Sequence, residues 1–170
     1  MPGKLSLSGA AAFLLLLAAC KSNEDVTPTR KFISFKMDNK VVLSEQSHRA
    51  YYSPGNLTDT DPANDRAELL ISGYSYEKDV INIRVTSASA DITPGVYRNT
   101  APGTGMVMEM SSSLELITAD DQFGDFTIII HQLKDSLVTG QFNGTLVSED
   151  DGSLKTVKDG YFKVVYRNYY

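Results

Sequence analysis

Asp125-Phe126-Thr127-Ile128-Ile129-Ile130, then Leu137-Val138-Thr139-Gly140-Gln141-Phe142-Asn143-Gly144-Thr145-Leu146, then Tyr161-Phe162-Lys163-Val164-Val165-Tyr166-Arg167: these three runs decide the fold. Phe126, Ile128 and Ile130 recur at every second position. So do Val138, Gly140, Phe142, Gly144 and Leu146, and again Phe162, Val164 and Tyr166. A β-strand turns successive side chains to opposite faces, so a period of two means one buried and one wet face. Three such strands in succession predict an antiparallel meander. Asn143-Gly144 carries the chemistry of a type I′ hairpin turn, which needs two residues tolerant of positive φ. Asp150-Asp151-Gly152 offers a competing turn, and only the later one keeps the alternation intact through Leu146.

Working outward, the same period governs the rest. Ile33, Phe35 and Met37 oppose Phe32, Ser34 and Lys36 before a turn at Asp38-Asn39 and a second run, Val41-Val42-Leu43, which together read as an opening hairpin. Residues 53–65 are dense in turn formers and form a long loop. Ala67–Tyr76 and Val80–Ser87 read as a second hairpin around Glu77-Lys78-Asp79, with Ile81, Ile83 and Val85 on one face and Asn82, Arg84 and Thr86 on the other. Pro94-Gly95 precedes the short run Val96-Tyr97, and Met106, Met108 and Met110 share one strand face. Leu114–Thr118 fits a strand or a short helix. No segment beyond residue 20 repeats apolar residues at helical spacing over ten positions. The expected fold is all-β: a single antiparallel β-sandwich or partly closed barrel of about nine to eleven strands, spanning 31–170.

The start of the chain reads differently. Lys4 precedes Ala10–Ala19, a run of alanines, four leucines and a phenylalanine, with small residues before Cys20. That is the layout of a secretory signal, and the run falls short of the ~20 apolar residues that span a bilayer. Leu17-Ala18-Ala19-Cys20 resembles the lipobox of bacterial lipoproteins. The resemblance implies that 1–19 is a lipoprotein signal peptide and that Cys20 becomes the lipidated N-terminus. Residues 20–30 then form a polar tether reaching at most about 33–36 Å over its last ten residues. Lys21 after the cysteine resembles lipoproteins sorted to the outer membrane. Glu24-Asp25 resembles the acidic signals that send some of them to the cell surface, and it reads equally as a solvated tether. Cys20 is the only cysteine, so lipidation leaves no thiol for a disulfide, nucleophile or zinc site.

Without the signal the chain carries 15 Lys and Arg against 21 Asp and Glu. This acidic balance argues against a nucleic-acid partner, which needs clustered cations, and leaves membrane attachment to the lipid anchor. The lipobox, the polar tether, Phe35–Lys40 as a strand ending in turn-Lys, Thr93-Pro94-Gly95-Val96-Tyr97, Val138–Gly144 and Asp159-Gly160-Tyr161-Phe162 together resemble the small β-rich lipoproteins of unknown function from Gram-negative bacteria. The likeness spans nearly the whole mature chain. It implies a β fold and no chemistry.

Few residues point to a reaction. There is no nucleophile elbow, metalloprotease helix motif, phosphate-binding glycine loop or thiol, and no cofactor is expected. His48 and His131, the only histidines, sit at strand ends and read as structural or solvated. Asp59, Asp61, Asn64 and Asp65 are a weak candidate calcium loop, since Ca²⁺ takes six to eight hard oxygens; they lack the glycine of the EF-hand pattern and read otherwise as a solvated turn. Tyr51, Tyr52, Tyr74 and Tyr76 are candidates to stack on a carbohydrate or protein ligand, against their reading as half-buried sheet tyrosines. Asp135-Ser136-Leu137 resembles the short motif at which some of these bacteria attach O-glycans, making Ser136 a candidate modification site or an ordinary turn serine. The expectation is an outer-membrane lipoprotein, on the periplasmic face or cell surface, serving as a non-enzymatic binding or structural module of open oligomeric state. The alternative is an enzyme or accessory protein acting on extracellular polysaccharide.

Overall fold

A computed structural model describes residues 30–62 and 64–169. Cys20, the signal over 1–19 and the tether up to residue 29 lie outside the described residues. The chain forms β1 (Phe32–Met37), β2 (Lys40–Ser44), β3 (Arg49–Ser53), β4 (Ala67–Tyr74), β5 (Val80–Ser87), β6 (Gly95–Arg98), β7 (Gly105–Glu109), β8 (Leu116–Ala119), β9 (Asp125–Lys134), β10 (Leu137–Ser148) and β11 (Leu154–Asn168). Eleven strands stand at the top of the expected range. Leu116–Ala119 resolves the strand-or-helix alternative as strand. Among the described residues no helix is long and apolar enough to cross a membrane.

Hydrogen bonding joins all eleven strands into one sheet that turns back on itself. One half runs β2-β1-β11-β10-β9-β6, the other β3-β4-β5-β7-β8. Two corners close the ring. Val147 and Ser148 of β10 outrun β9 and pair with Thr118 and Ile117 of β8. At the other corner Tyr166–Asn168 of β11 outrun β1 and pair with Ala50–Tyr52 of β3. This last pairing is parallel, a correction to the antiparallel expectation. Its cause lies in the four residues between β2 and β3: the chain bends at Ser47, held at φ 58°, without reversing. One strand direction therefore continues from the first half of the sheet into the second, a corner of the kind that lets strands switch sheets. Period-2 alternation carries no information about direction.

The expected meander is present, with β9, β10 and β11 antiparallel in order. β10 runs unbroken through Asn143-Gly144, and the reversal falls at Glu149–Ser153, where Gly152 takes positive φ. Two-residue type I′ turns close the β1–β2 and β9–β10 hairpins, with Asp38, Asn39, Asp135 and Ser136 all at φ between 49° and 68°. Each half contributes different side chains to the core. Phe35, Phe126, Phe142 and Phe162 come from the six-stranded half. Leu69, Ile71, Ile81, Ile83, Met106 and Met108 come from the five-stranded half. The alternation Ala67, Leu69, Ile71 in and Glu68, Leu70, Ser72 out is repeated across β5 and β7, leaving a continuous outer face on the five-stranded half.

Candidate functional site

That outer face carries a furrow and a saddle that adjoin each other. Register sets its composition: Tyr51 of β3 lies opposite Leu70 of β4, Leu70 opposite Arg84 of β5, and Arg84 opposite Gly105 of β7. A furrow of about 530 Å³ runs over Leu70, Asn82, Arg84, Gly105 and Val107 to Asp120 and Asp121. Gly105 lines this furrow where the backbone of β8 comes close, so that a Cβ there would lie 1.9 Å from the Ala119 carbonyl oxygen. Glu68 and Arg84 face each other across the strand pair, Oε1 to Nε at 3.4 Å, both half exposed. Beyond Leu70 the surface continues into a shallow saddle of about 260 Å³ between Tyr51, Ser53, Glu68 and Tyr169.

The rings of Tyr51 and Tyr169 meet edge-on, centroids 6.3 Å apart. Tyr169 is two-thirds exposed, yet its backbone is fixed: its N–H donates to the Tyr52 carbonyl at 2.8 Å, and its own carbonyl accepts from the Ser53 hydroxyl at 3.4 Å. A half-buried Tyr51 beside an exposed Tyr169 on a hydrogen-bonded sheet, with Arg84, Asn82 and Glu68 as directional polar neighbours, can stack on an apolar ring face and hydrogen-bond the groups at its rim.

The four tyrosines expected to stack on a ligand do not converge. Tyr51 and Tyr52 are successive strand residues and take opposite faces. Tyr52 turns to the core side, its ring against Tyr166 and its hydroxyl donating to Asp91 Oδ1 at 2.8 Å. Burial and that carboxylate push the Tyr52 hydroxyl up to about 12. Tyr74 shares Tyr51's face but lies four residues from Leu70, about 13 Å along the strand. Tyr76 sits in the β4–β5 turn, its hydroxyl bonded to Glu45. Only Tyr51 belongs to the saddle. Its partner Tyr169 was missed because it lies beyond the last periodic run. Leu70 was legible as an apolar residue on the wet side of β4.

The acidic loop is organised around its own side chains. Asp59 accepts from Asn56 Nδ2 at 2.5 Å, Asn64 Nδ2 at 3.0 Å and the Asp61 N–H at 3.0 Å. The Asn64 and Asp61 bonds hold its carboxyl below the ordinary carboxylate value. Asp61 joins this network through its backbone and Asp65 is partly covered. Among the described residues no three His, Asp or Glu side chains are disposed to hold a metal ion.

His48 and His131 lie on different halves of the sheet, just before β3 and on the outward side of β9. His48 is partly buried with Nδ1 enclosed, and burial and then the Lys31 ammonium hold it below its ordinary value. Ser136 is exposed at the tip of the β9–β10 hairpin, its carbonyl accepting from the Tyr166 N–H at 2.9 Å. The remaining shifted groups are also remote from the furrow. Asp159 is lowered by Lys36, 2.8 Å away, and Asp151 is lowered first by the Ser153 N–H. No family model matches the chain, nor does any curated protein or solved structure.

Proposed function

We propose that this protein is an outer-membrane or cell-surface lipoprotein, anchored through Cys20, whose β domain is a non-enzymatic binding module with its ligand seat on the outer face of β3, β4, β5 and β7. The observation that carries the reading is the Tyr51–Tyr169 saddle opening onto the Leu70–Arg84 furrow, a part-exposed aromatic pair on a sheet face whose Tyr169 is two-thirds exposed. Contiguous exposed aromatic and apolar surface marks interaction sites, whereas an enzyme gathers groups of shifted ionisation into one cleft. Here the shifted groups, His48, Tyr52, Asp59, Asp151 and Asp159, stand apart from one another and away from the furrow. Ligands of matching chemistry are a sugar with an apolar ring face or a protein loop. The Ser136 hydroxyl, exposed at a hairpin tip, is in addition accessible to O-glycosylation.

The test is recovery of partners from native cells with the lipidated protein and with Tyr51→Ala. A partner or glycan retained by the wild type and lost from the variant supports the reading. Appearance of new reducing ends in a polysaccharide, abolished by substituting a carboxylate of this chain, would move the polysaccharide-acting alternative ahead. Fatty-acid labelling that persists in Cys20→Ser would remove the anchor.

A further inference from the structure

A second surface, distinct from the saddle, follows from the hydrogen-bond pattern of β2. The Asp38-Asn39 turn makes Met37 and Lys40 the first bonded pair of the β1–β2 hairpin, so the next are Phe35 with Val42 and Ile33 with Ser44. The N–H and C=O groups of Val41 and Leu43 therefore point away from β1. Among the described residues no strand pairs with that side of β2, and no backbone bond uses those groups. The other free edge, β6, is only four residues long and follows Pro94, with the Tyr97 hydroxyl accepting from the N–H of Thr93 just before it at 3.0 Å and donating to the Thr93 carbonyl at 2.7 Å. β2 presents Val41-Val42-Leu43 with Val41 69% exposed. Proteins usually blunt such an edge.

This edge borders a cleft of about 520 Å³. Met37, Val42, Met110 and Ile117 supply its apolar surface, and Ser75, Tyr76 and Glu77 of the β4–β5 turn also line it. Tyr76 ties that turn to Glu45, just past the end of β2. The chain carries 16 Lys and Arg against 21 Asp and Glu, so a second copy would bring a like-charged edge, which speaks for a cationic extended peptide over another copy of this chain. The rim is acidic: Asp38, Glu77 and Glu115 outnumber Lys40 and Lys155. Asp79 is nearly buried and bonded to the Ser75 hydroxyl at 2.8 Å and the Ser111 N–H at 3.0 Å.

We propose that the free edge of β2 is a strand-addition site for an extended peptide with apolar residues at alternate positions and Lys or Arg between them. Main-chain bonds to Val41 and Leu43 supply affinity, while the apolar surface and acidic rim select side chains. The site is independent of the Tyr51 saddle.

The probe is acetyl-Lys-Val-Lys-Val-Lys-Val-Lys-amide, titrated by fluorescence anisotropy into the full chain in detergent, with the Glu-for-Lys peptide as control. Val41→Pro deletes one outward N–H and leaves the β1 pairing intact, a position where edge strands accept proline. It should weaken binding about tenfold, the equivalent of one well-formed hydrogen bond, with Val41→Ala and Tyr51→Ala much closer to wild type. A Lys peptide N-methylated at alternate residues should also fail on the wild type, and this decides the matter if Val41→Pro does not fold. No binding by the Lys peptide, equal binding by the Glu peptide, or undiminished binding by a folded Val41→Pro or by the methylated peptide overturns the proposal. So does a concentration-dependent dimer that Val41→Pro abolishes, which would give the edge to a second copy.

Discussion

Replacing Phe142 with alanine tests the core most directly. Its ring lies between three others: Phe35 at 5.5 Å, Phe126 at 5.8 Å and Phe162 at 6.2 Å between centroids. All four are at most 1% exposed. Deleting a buried phenylalanine to alanine costs about 3–5 kcal/mol, combining lost transfer energy with an unfilled cavity. The three neighbours sit on β1, β9 and β11, all in the same half of the sheet, and hydrogen-bonded strands cannot close by several ångströms to refill the space. The loss should fall in the upper half of that range. Unfolding entropy near 2.1 cal/mol/K per residue over roughly 140 residues gives about 0.3 kcal/mol/K, so a 4 kcal/mol loss lowers Tm by about 13 °C. Phe123→Ala, at a half-exposed turn position, should stay within about 0.5 kcal/mol. Thermal and urea unfolding of both variants is the assay, with the urea midpoint falling and the slope unchanged. A Phe142→Ala loss below about 1.5 kcal/mol would refute the reasoning, because it would mean that the aromatic layer repacks freely.

Gly140→Ala should destabilise by a comparable amount although it adds only a methyl group: its Cβ would lie 2.4 Å from both the Ile129 carbonyl oxygen and Phe162 Cζ, and overpacking against backbone costs about 1–3 kcal/mol or more; unfolding in urea measures it. Tyr52 has a folded value near 12, above that of the unfolded chain, so its contribution is complete below pH 10 and lost as pH rises from 10 to 12; Tyr52→Phe should flatten the fall of Tm across that window. His48 is shifted the other way. The unfolded chain takes up its proton first, stability declines as pH drops below 6.5, and His48→Gln should reduce that slope in a melting-temperature series from pH 7.5 to 5.

What the sequence revealed follows from what alternation encodes. Period 2 assigns each residue to a face, and on that basis Phe126, Ile128, Phe142, Phe162 and Val164 were legible as core, and Asn82, Arg84 and Thr86 as wet. All five apolar residues are buried, and the three polar ones face outward on β5. The turn choice at Asp150-Asp151-Gly152 over Asn143-Gly144 was likewise settled by the face of Leu146. Alternation is silent about where a strand ends, and by itself it already separates Tyr51 from Tyr52. Tyr51-Tyr52 as a pair cannot share a face, and Tyr74 and Tyr76 stack only if the strand continues past Tyr74. It ends there instead, because Ser75 turns the chain by bonding the N–H groups of Glu77 and Asp79 through its hydroxyl. Asp79 in turn was legible only as a turn residue. Its near-complete burial arises from a partner, the Ser111 N–H, that is 32 positions away.

The candidate site and the unexpected parallel corner are one feature. Tyr169 reaches Tyr51 because β11 extends past β1 and its final residues run beside β3 in the same direction, Tyr166 with Ala50 through Asn168 with Tyr52. Had the chain reversed between β2 and β3, β3 would run against β11 and Tyr51 would occupy a different register relative to the C-terminal residues. The bend at Ser47 that spares the chain a reversal thus also builds the aromatic saddle. Its geometry depends on three short strand segments meeting at a corner, whereas the furrow depends only on β4, β5 and β7. A perturbation confined to the corner should therefore weaken a ligand that stacks on Tyr51 and Tyr169 while leaving the Arg84 and Asn82 end of the furrow in place.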